Sequence, residues 1–187
     1  MNKKIEFFFD VASPYTYLAA TQIPRLEKLA DVEWVPFLIG GVFKGASNTM
    51  PAAVPAKGKY MLKDLLRLSA YSGVPFKFPS NFPTNSLTAM RALTAADPDQ
   101  RPGLAMKVFQ AYWVDDRNIS DVGVLTELLG EGLLARAADA GIKEELKAVT
   151  ESAVRRGAFG APTFFVDGDM YFGEDRIFLI EHALKNS

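Results

Sequence analysis

Two hydroxyl residues lie where a predicted strand passes into a predicted helix. Ser13 and Thr16 flank Pro14 and Tyr15, shortly after an aromatic strand that Asp10 ends. A serine here is a typical helix N-cap, and Pro14 suits the first helical turn. That turn also offers free backbone N–H groups and the positive end of the helix dipole. The sequence therefore predicts either a purely structural cap or a corner that stabilises an anion beside the Ser13 hydroxyl.

A second motif, Gly160-Ala161-Pro162-Thr163, precedes a strand near the end of the chain. Its proline is either an ordinary trans proline that begins a strand or a cis proline, which is uncommon and usually has a positional reason. In thioredoxin folds a cis-proline faces the reactive helix N-terminus. The presence of the Ser13 corner earlier in the chain favours the cis form. We then expect the Ala161 backbone to be free to pair with an extended peptide ligand.

Thioredoxin-fold oxidoreductases carry Cys-x-x-Cys at this helix start, where the helix N-terminus lowers the pKa of the first thiol. In this chain hydroxyls replace both sulfurs at the same spacing. The corner therefore lacks a nucleophile of its own. A thiolate that belongs to a ligand fits the position, held by the Ser13 hydroxyl and the helix N-terminus.

Further polar residues are candidates for ligand binding. Glu174 and Asp175 begin the last predicted helix, where they either complement the helix dipole or bind an ammonium group of a ligand. Asn48, Lys57 and Lys59 are assigned to a predicted long loop in the middle of the chain. They are either solvated surface groups or partners for an anion such as a carboxylate.

Composition excludes several classes of function. The chain has no cysteine, which rules out disulfides, thiolate metal sites and a disulfide oxidoreductase. Because His182 is the only histidine, a His-rich metal site and a Ser–His–Asp triad are not expected, and no metal site is predicted. The net charge of −1 supplies no field that would recruit nucleic acid or an anionic membrane. No stretch approaches the roughly 20 apolar residues of a membrane span, and we expect a cytoplasmic enzyme.

The elements that position the first motif form a βαβ unit. Ile5 to Phe9 is predicted as a buried strand, 14–30 as a helix that Pro24 kinks or breaks, and 32–37 as a second strand. The two strands should be parallel, with a right-handed crossover. At the other end of the chain, the pattern predicts a strand at 163–166, a hairpin turn at Asp167-Gly168, a strand at 170–172 and an amphipathic helix at 174–185.

The middle of the chain lacks strand patterns. Residues 40–58 are rich in Gly, Pro, Ala, Ser and Asn and predict a long loop. Apolar spacing then predicts only helices, at 59–72, 86–96, 101–114, 121–129, 132–140 and 143–156. Ser120 is the expected cap of the fourth of these helices, and Gly157 is expected to end the last in a left-handed conformation.

The order βαβ, helical insert, ββα predicts an α/β, thioredoxin-like fold with a large all-helical insertion. Residues 1–44 and 158–187 form the thioredoxin-like domain in this interpretation. Residues 45–157 form the loop and the helical insertion domain.

Five segments together resemble the 2-hydroxychromene-2-carboxylate isomerase family: FDVASPYTYLA, GGVFK, VPAKGKYM, FGAPTFFVDG and YFGEDR. That family is similar to the kappa class of glutathione transferases, and both belong to the DsbA-like thioredoxin superfamily. The resemblance covers nearly the whole chain. It implies a homodimer that uses glutathione and acts on a small aromatic substrate. The family interconverts 2-hydroxychromene-2-carboxylate and trans-o-hydroxybenzylidenepyruvate in bacterial degradation of aromatic compounds.

The resemblance also implies roles for individual residues. Ser13 would stabilise the glutathione thiolate, and Asn48 and Lys57 would contact the tripeptide. Ala161, which precedes Pro162, would pair with the tripeptide backbone through main-chain groups. The γ-glutamyl end would be received by Glu174 and Asp175, although this chain has Glu where kappa-class proteins commonly have Ser and the isomerases Asn.

Two alternatives share parts of this site. A glutathione transferase or peroxidase of the kappa type would use the same thiolate corner but would form a lasting thioether or reduce a peroxide. A non-catalytic thioredoxin-like module would use the cis-proline edge to bind peptides, and glutathione would not displace them.

Overall fold

A four-stranded mixed sheet forms the centre of the computed structural model, which describes residues 3–186. Its strands are β1 (Lys4–Phe9), β2 (Asp31–Pro36), β3 (Thr163–Val166) and β4 (Asp169–Phe172). They lie in the order β2-β1-β3-β4, with β1 parallel to β2 and β3 antiparallel to both of its neighbours. The predicted parallel βαβ unit and the late hairpin are both present.

Ten helices surround the sheet in residues 3–186. They are α1 (Pro14–Ala20), α2 (Ile23–Leu26), α3 (Ile39–Gly45), α4 (Pro55–Ser72), α5 (Leu87–Ala95), α6 (Arg101–Trp113), α7 (Val122–Leu129), α8 (Glu131–Arg136), α9 (Ala140–Arg155) and α10 (Ile177–Asn186). Two short 3₁₀ turns, Pro51–Ala53 and Glu174–Arg176, precede α4 and α10. No helix among these residues has the length and apolar character needed to cross a membrane.

The alternation of side chains along β1 gives the sheet two apolar faces. Phe7 packs against Trp34 and Phe164, with ring centroids 4.9 and 5.0 Å apart, in the larger core, which α1, α5 and α6 also enter. Phe8 points the other way and contacts Phe165 in a smaller core that α3 and α9 cover. Because helices of the insert pack on both faces, the sheet supports them directly. The predicted division into two domains stays a prediction.

The prediction of a long loop at 40–58 is wrong. The segment contains α3, a 3₁₀ turn and the start of α4. The glycines that suggest a loop serve helix packing instead, because a Cβ on Gly41 would lie 2.9 Å from the Thr150 Cγ2 of α9. A Cβ on Gly45 would likewise lie 3.1 Å from Val154 Cγ1. The glycines of α3 therefore allow it to lie close against α9.

Several predicted boundaries also change. The helix at 14–30 is broken into α1 and α2, with Pro24 in the first turn of α2, where its missing N–H costs nothing. The cap of α7 is Asp121, whose carboxylate accepts from the Val124 N–H at 2.9 Å, so the assignment to Ser120 is wrong. Gly157 has the expected positive φ, of 102°, after α9.

Candidate active site

The Ser13 hydroxyl forms two hydrogen bonds at the start of α1. Its oxygen accepts one from the Thr16 N–H at 3.2 Å, so Ser13 is the predicted N-cap. The hydroxyl donates the other to the Ala161 carbonyl at 3.1 Å. The peptide bond between Ala161 and Pro162 is cis, as predicted. The two motifs therefore face each other in direct contact.

Only one of the two polar backbone groups of Ala161, its N–H, is free to bind a ligand. Its carbonyl is occupied by Ser13, which differs from the expectation that the whole backbone group is open. Its N–H has no hydrogen-bond partner within residues 3–186. A ligand backbone can accept from this N–H directly, whereas pairing with the carbonyl requires the Ser13 hydroxyl to turn away.

Aromatic packing fixes the segment that precedes Pro162. A Cβ on Gly160 would lie 2.8 Å from Cε2 of Phe172, so only glycine allows this ring to pack against the chain. The Phe159 and Phe172 rings lie 4.4 Å apart between centroids. The Asn48 amide donates to the Phe159 carbonyl at 2.9 Å and thereby attaches the segment after α3 to the cis-proline loop.

A cavity of about 940 Å³ opens in front of the Ser13 corner. All seven site residues predicted from the sequence line it: Ser13, Asn48, Lys57, Ala161, Pro162, Glu174 and Asp175. Lys59, which the sequence offers as an anion-binding candidate beside Asn48 and Lys57, does not line the cavity. The structure brings the predicted residues together, while the role of each stays a prediction.

One side of the cavity is acidic. Glu174 and Asp175 belong to the 3₁₀ turn before α10, and Asp64 of α4, which lines the same cavity, is close enough to Glu174 to affect its charge state. The Tyr15 hydroxyl donates to Asp64 Oδ2 at 3.0 Å. Burial raises the pKa of Glu174, and the negative charges of Asp175 and Asp64 raise it further. A bound cation would relieve this repulsion, so the acidic side suits an ammonium group.

Sequence reasoning missed Asp64 because its position on α4 is that of an ordinary solvated helical acid. The same cavity also contains a positively charged side chain, Lys57. It forms no ion pair within residues 3–186. The cavity therefore has separate partners for an ammonium group and for a carboxylate.

Asp10 lies behind the corner and is fully buried. Its carboxylate accepts from the Ala12 N–H at 2.9 Å, from the Ile39 N–H at 2.8 Å and from the Ser86 hydroxyl at 3.1 Å. Burial raises the pKa of Asp10, and these three hydrogen bonds oppose that rise. One side chain thus joins the turn before Ser13, the start of α3 and the start of α5, all of which line the cavity.

Apolar side chains form another part of the cavity lining. These side chains come from the ends of α3, the segment before α4 and the segment before α5, and include Leu38, Phe43, Met50, Phe82 and Leu87. Tyr112 and Trp113 do not line the cavity. Both are fully buried in the core. The Trp113 indole N–H donates to the Val11 carbonyl at 2.8 Å and so supports the turn before Ser13.

Within residues 3–186, no group of three or more His, Asp or Glu side chains has an arrangement that could hold a metal ion. The polar groups of the cavity instead offer hydrogen-bond donors around Ser13 and carboxylates at one end. This arrangement suits an organic ligand that carries both a positive and a negative group.

The model of the DSBA-like thioredoxin domain matches residues 4–185. The chain belongs to this family. This chain has no cysteine, so the hydroxyls of Ser13 and Thr16 stand at its helix start without a thiol anywhere in the sequence.

Relatives with similar sequences cover almost the whole of this DSBA-like chain. Glutathione S-transferase kappa 1 of Homo sapiens is 33% identical over 98% of this chain and 92% of its own length. The 2-hydroxychromene-2-carboxylate isomerase of Sphingobium xenophagum is 33% identical over 98% of this chain and 99% of its own length. A solved structure of a 2-hydroxychromene-2-carboxylate isomerase has the same fold, with a TM-score of 0.84 at 24% identity over 97% of this chain and 94% of that one.

Proposed function

We propose that this protein is a glutathione-dependent isomerase that interconverts 2-hydroxychromene-2-carboxylate and trans-o-hydroxybenzylidenepyruvate. The observation that carries the proposal is the contact between the Ser13 hydroxyl and the cis-proline loop at the wall of the large cavity. The full-length similarity to the isomerase of Sphingobium xenophagum supports the choice of reaction. The predicted homodimer and the role in degradation of aromatic compounds belong to the same proposal.

The charges of the cavity give glutathione one orientation. Its γ-glutamyl ammonium group lies at Glu174 and Asp175, and Lys57 receives a carboxylate. The unpaired Ala161 N–H donates to the cysteinyl backbone carbonyl, as a strand edge does in peptide recognition. The sulfur is then directed towards Ser13.

Ser13 acts in this proposal as a hydrogen-bond donor to sulfur. Its hydroxyl turns from the Ala161 carbonyl to the thiolate while the positive end of α1 adds to the stabilisation. Both effects favour the charged form and lower the pKa of the glutathione thiol towards neutrality. A serine hydroxyl is too weakly acidic to serve as the nucleophile itself without a neighbouring base.

The thiolate is the only nucleophile that the reaction then needs. The hemiketal opens to the cis-enone as its C–O bond to the ring breaks and its hydroxyl proton passes to the phenolic oxygen. The sulfur adds to the carbon β to the ketone, while the π electrons of the double bond move to the enolate oxygen. The former double bond is now single and rotates. The enolate re-forms the ketone and expels the thiolate, which leaves the trans isomer and unchanged glutathione. The apolar wall around Phe82 and Leu87 accommodates the aromatic ring.

A time course of substrate absorbance, with and without glutathione, tests this proposal. We expect rapid equilibration that depends on glutathione and leaves the count of free thiols unchanged. An absence of any glutathione-dependent reaction with this substrate would refute the isomerase assignment.

The similarity to human glutathione S-transferase kappa 1 favours a second candidate, a kappa-type transferase. It uses the same Ser13 corner but retains the carbon–sulfur bond. In the same time course, a falling thiol count together with a stable thioether would identify transfer.

A further inference from the structure

A second cavity, of about 840 Å³, lies between α3, α5 and α9. Leu38 and Leu87 line both this cavity and the one in front of Ser13, so the two cavities share a wall. We call the second cavity the basic groove. Neither the sequence patterns nor the proposed reaction gives it a role.

Arg91 of α5 lies in the basic groove without a partner. The residue is half-buried, and its Nε is shielded from solvent and has no hydrogen bond. Within residues 3–186 its guanidinium forms no ion pair with any carboxylate. Buried polar atoms are nearly always hydrogen-bonded, so the buried Nε of Arg91 is an exception among the described residues. An anionic ligand would satisfy this group.

The charge of the groove differs from that of the whole chain. Its lining includes five cations and two carboxylates: Lys44, Arg91, Lys143, Lys147, Arg155, Glu144 and Glu151. Lys147 pairs with Glu144 at 3.2 Å, which neutralises one carboxylate. The groove is thus locally positive in a chain of net charge −1.

The other part of the lining is apolar. Leu38, Leu87, Leu146 and Val154 contribute to it, and the Thr150 hydroxyl beside them is already occupied by the Leu38 N–H at 3.0 Å. Apolar walls with a few convergent cations are typical of sites for small organic anions. The shared Leu38 and Leu87 would hold an apolar body against the partition between the cavities.

We propose that the basic groove binds an amphipathic anion, with a carboxylate or phosphate group on Arg91 and an apolar chain or ring against Leu38 and Leu87. A guanidinium binds either oxyanion through paired N–H donors. The occupant is separate from the molecules in the Ser13 cavity, and the proposal does not depend on the identity of the reaction there.

Isothermal titration of the full chain with decanoate, decyl phosphate and inorganic phosphate tests this site. We expect one decanoate or decyl phosphate per chain, and much weaker binding of inorganic phosphate, because it lacks an apolar part. Arg91→Gln should weaken binding about 10-fold, since it removes a charge-assisted hydrogen bond. Tighter binding of one of the two amphiphiles would identify the head group.

Three further variants locate the probe. Lys143→Glu changes an exposed residue, so it reports on the groove even where Arg91→Gln fails to fold, and it should also weaken binding. Arg67→Gln removes an exposed guanidinium of α4 outside the groove and should have no effect, as should Lys57→Gln in the other cavity. Absence of binding would overturn the proposal. So would binding that responds to Lys57→Gln but not to the groove variants.

Discussion

The charge state of Glu174 is set by its surroundings in the acidic side of the cavity. Burial and the nearby Asp175 and Asp64 raise its pKa above the usual value of 4.5. In the proposed complex the glutathione ammonium group favours the carboxylate form, so binding releases protons from the protein. Affinity for glutathione should therefore rise with pH through the raised pKa of Glu174, and this rise precedes the separate one that ionisation of the bound thiol causes nearer neutral pH.

Glu174→Gln should weaken glutathione binding and remove this dependence on pH. Titrations from pH 4 to 6 measure this dependence, because the carboxyl groups of glutathione ionise mostly below that range and its bound thiol ionises above it. Glu131→Gln, on the exposed face of α8, is the matched control and should keep the wild-type profile. An unchanged profile in Glu174→Gln would show that this carboxyl does not meet the ligand.

Asp10 illustrates what one buried carboxylate does for three separate parts of the cavity. Asp10→Ala would leave the Ala12 and Ile39 N–H groups and the Ser86 hydroxyl without their acceptor. We expect a loss of about 2–4 kcal/mol in the free energy of unfolding, measured in urea. Asp99→Ala changes an exposed aspartate before α6 and should shift stability by less than about 0.5 kcal/mol. Equal effects of the two variants would contradict this role of Asp10.

At the scale of the secondary-structure elements, α3 packs closely against another helix, α9. It supplies one wall of the Ser13 cavity and one wall of the basic groove, and α9 lies against it. The start of α3 is fixed by Asp10 at the Ile39 N–H and by Thr150 at the Leu38 N–H. The position of this helix therefore affects both cavities.

Neighbouring glycines of α3 provide a matched test. A Cβ on Gly41 would lie 2.9 Å from Thr150 Cγ2, whereas a Cβ on Gly40 would have no neighbour within 4 Å. Gly41→Ala should destabilise the protein by about 1–3 kcal/mol through overpacking. Gly40→Ala should be neutral or stabilise by up to about 1 kcal/mol, because alanine favours helix. Thermal unfolding measures the stability of both variants. A Gly41→Ala variant as stable as the wild type would contradict the close packing of α3 on α9.

Over the whole molecule, patterns local in sequence predict more than contacts between distant residues. The strand, cap and proline at Ser13 and the motif at Pro162 are local, and the structure has both as expected. The sequence indicates Asp10 only as the end of a strand, because two of its three hydrogen-bond partners lie 29 and 76 positions away. The glycines of α3 suggest a loop when only the sequence is considered. The structure shows instead that they leave room for the side chains of α9.

The same difference between local patterns and distant contacts explains why the sequence reveals neither the basic groove nor the position of Asp64 in the cavity. An arginine on α5 and an acid on α4 are ordinary helical surface residues in the sequence. Their surroundings come from α3 and α9 in the first case and from the turn at Glu174 in the second. Neither arrangement can be deduced without the three-dimensional fold.

The central claim is that the Ser13 corner holds glutathione as its thiolate. The most direct measurement is the ultraviolet absorbance of the bound thiolate as a function of pH, in the wild type and in Ser13→Ala. The account predicts a thiol pKa lowered towards neutrality in the wild type. The pKa should be about 1–2 units higher in folded Ser13→Ala, since one charge-assisted hydrogen bond is lost. Ser120→Ala, an exposed serine before α7, should match the wild type. Identical titrations for Ser13→Ala and the wild type would contradict the account.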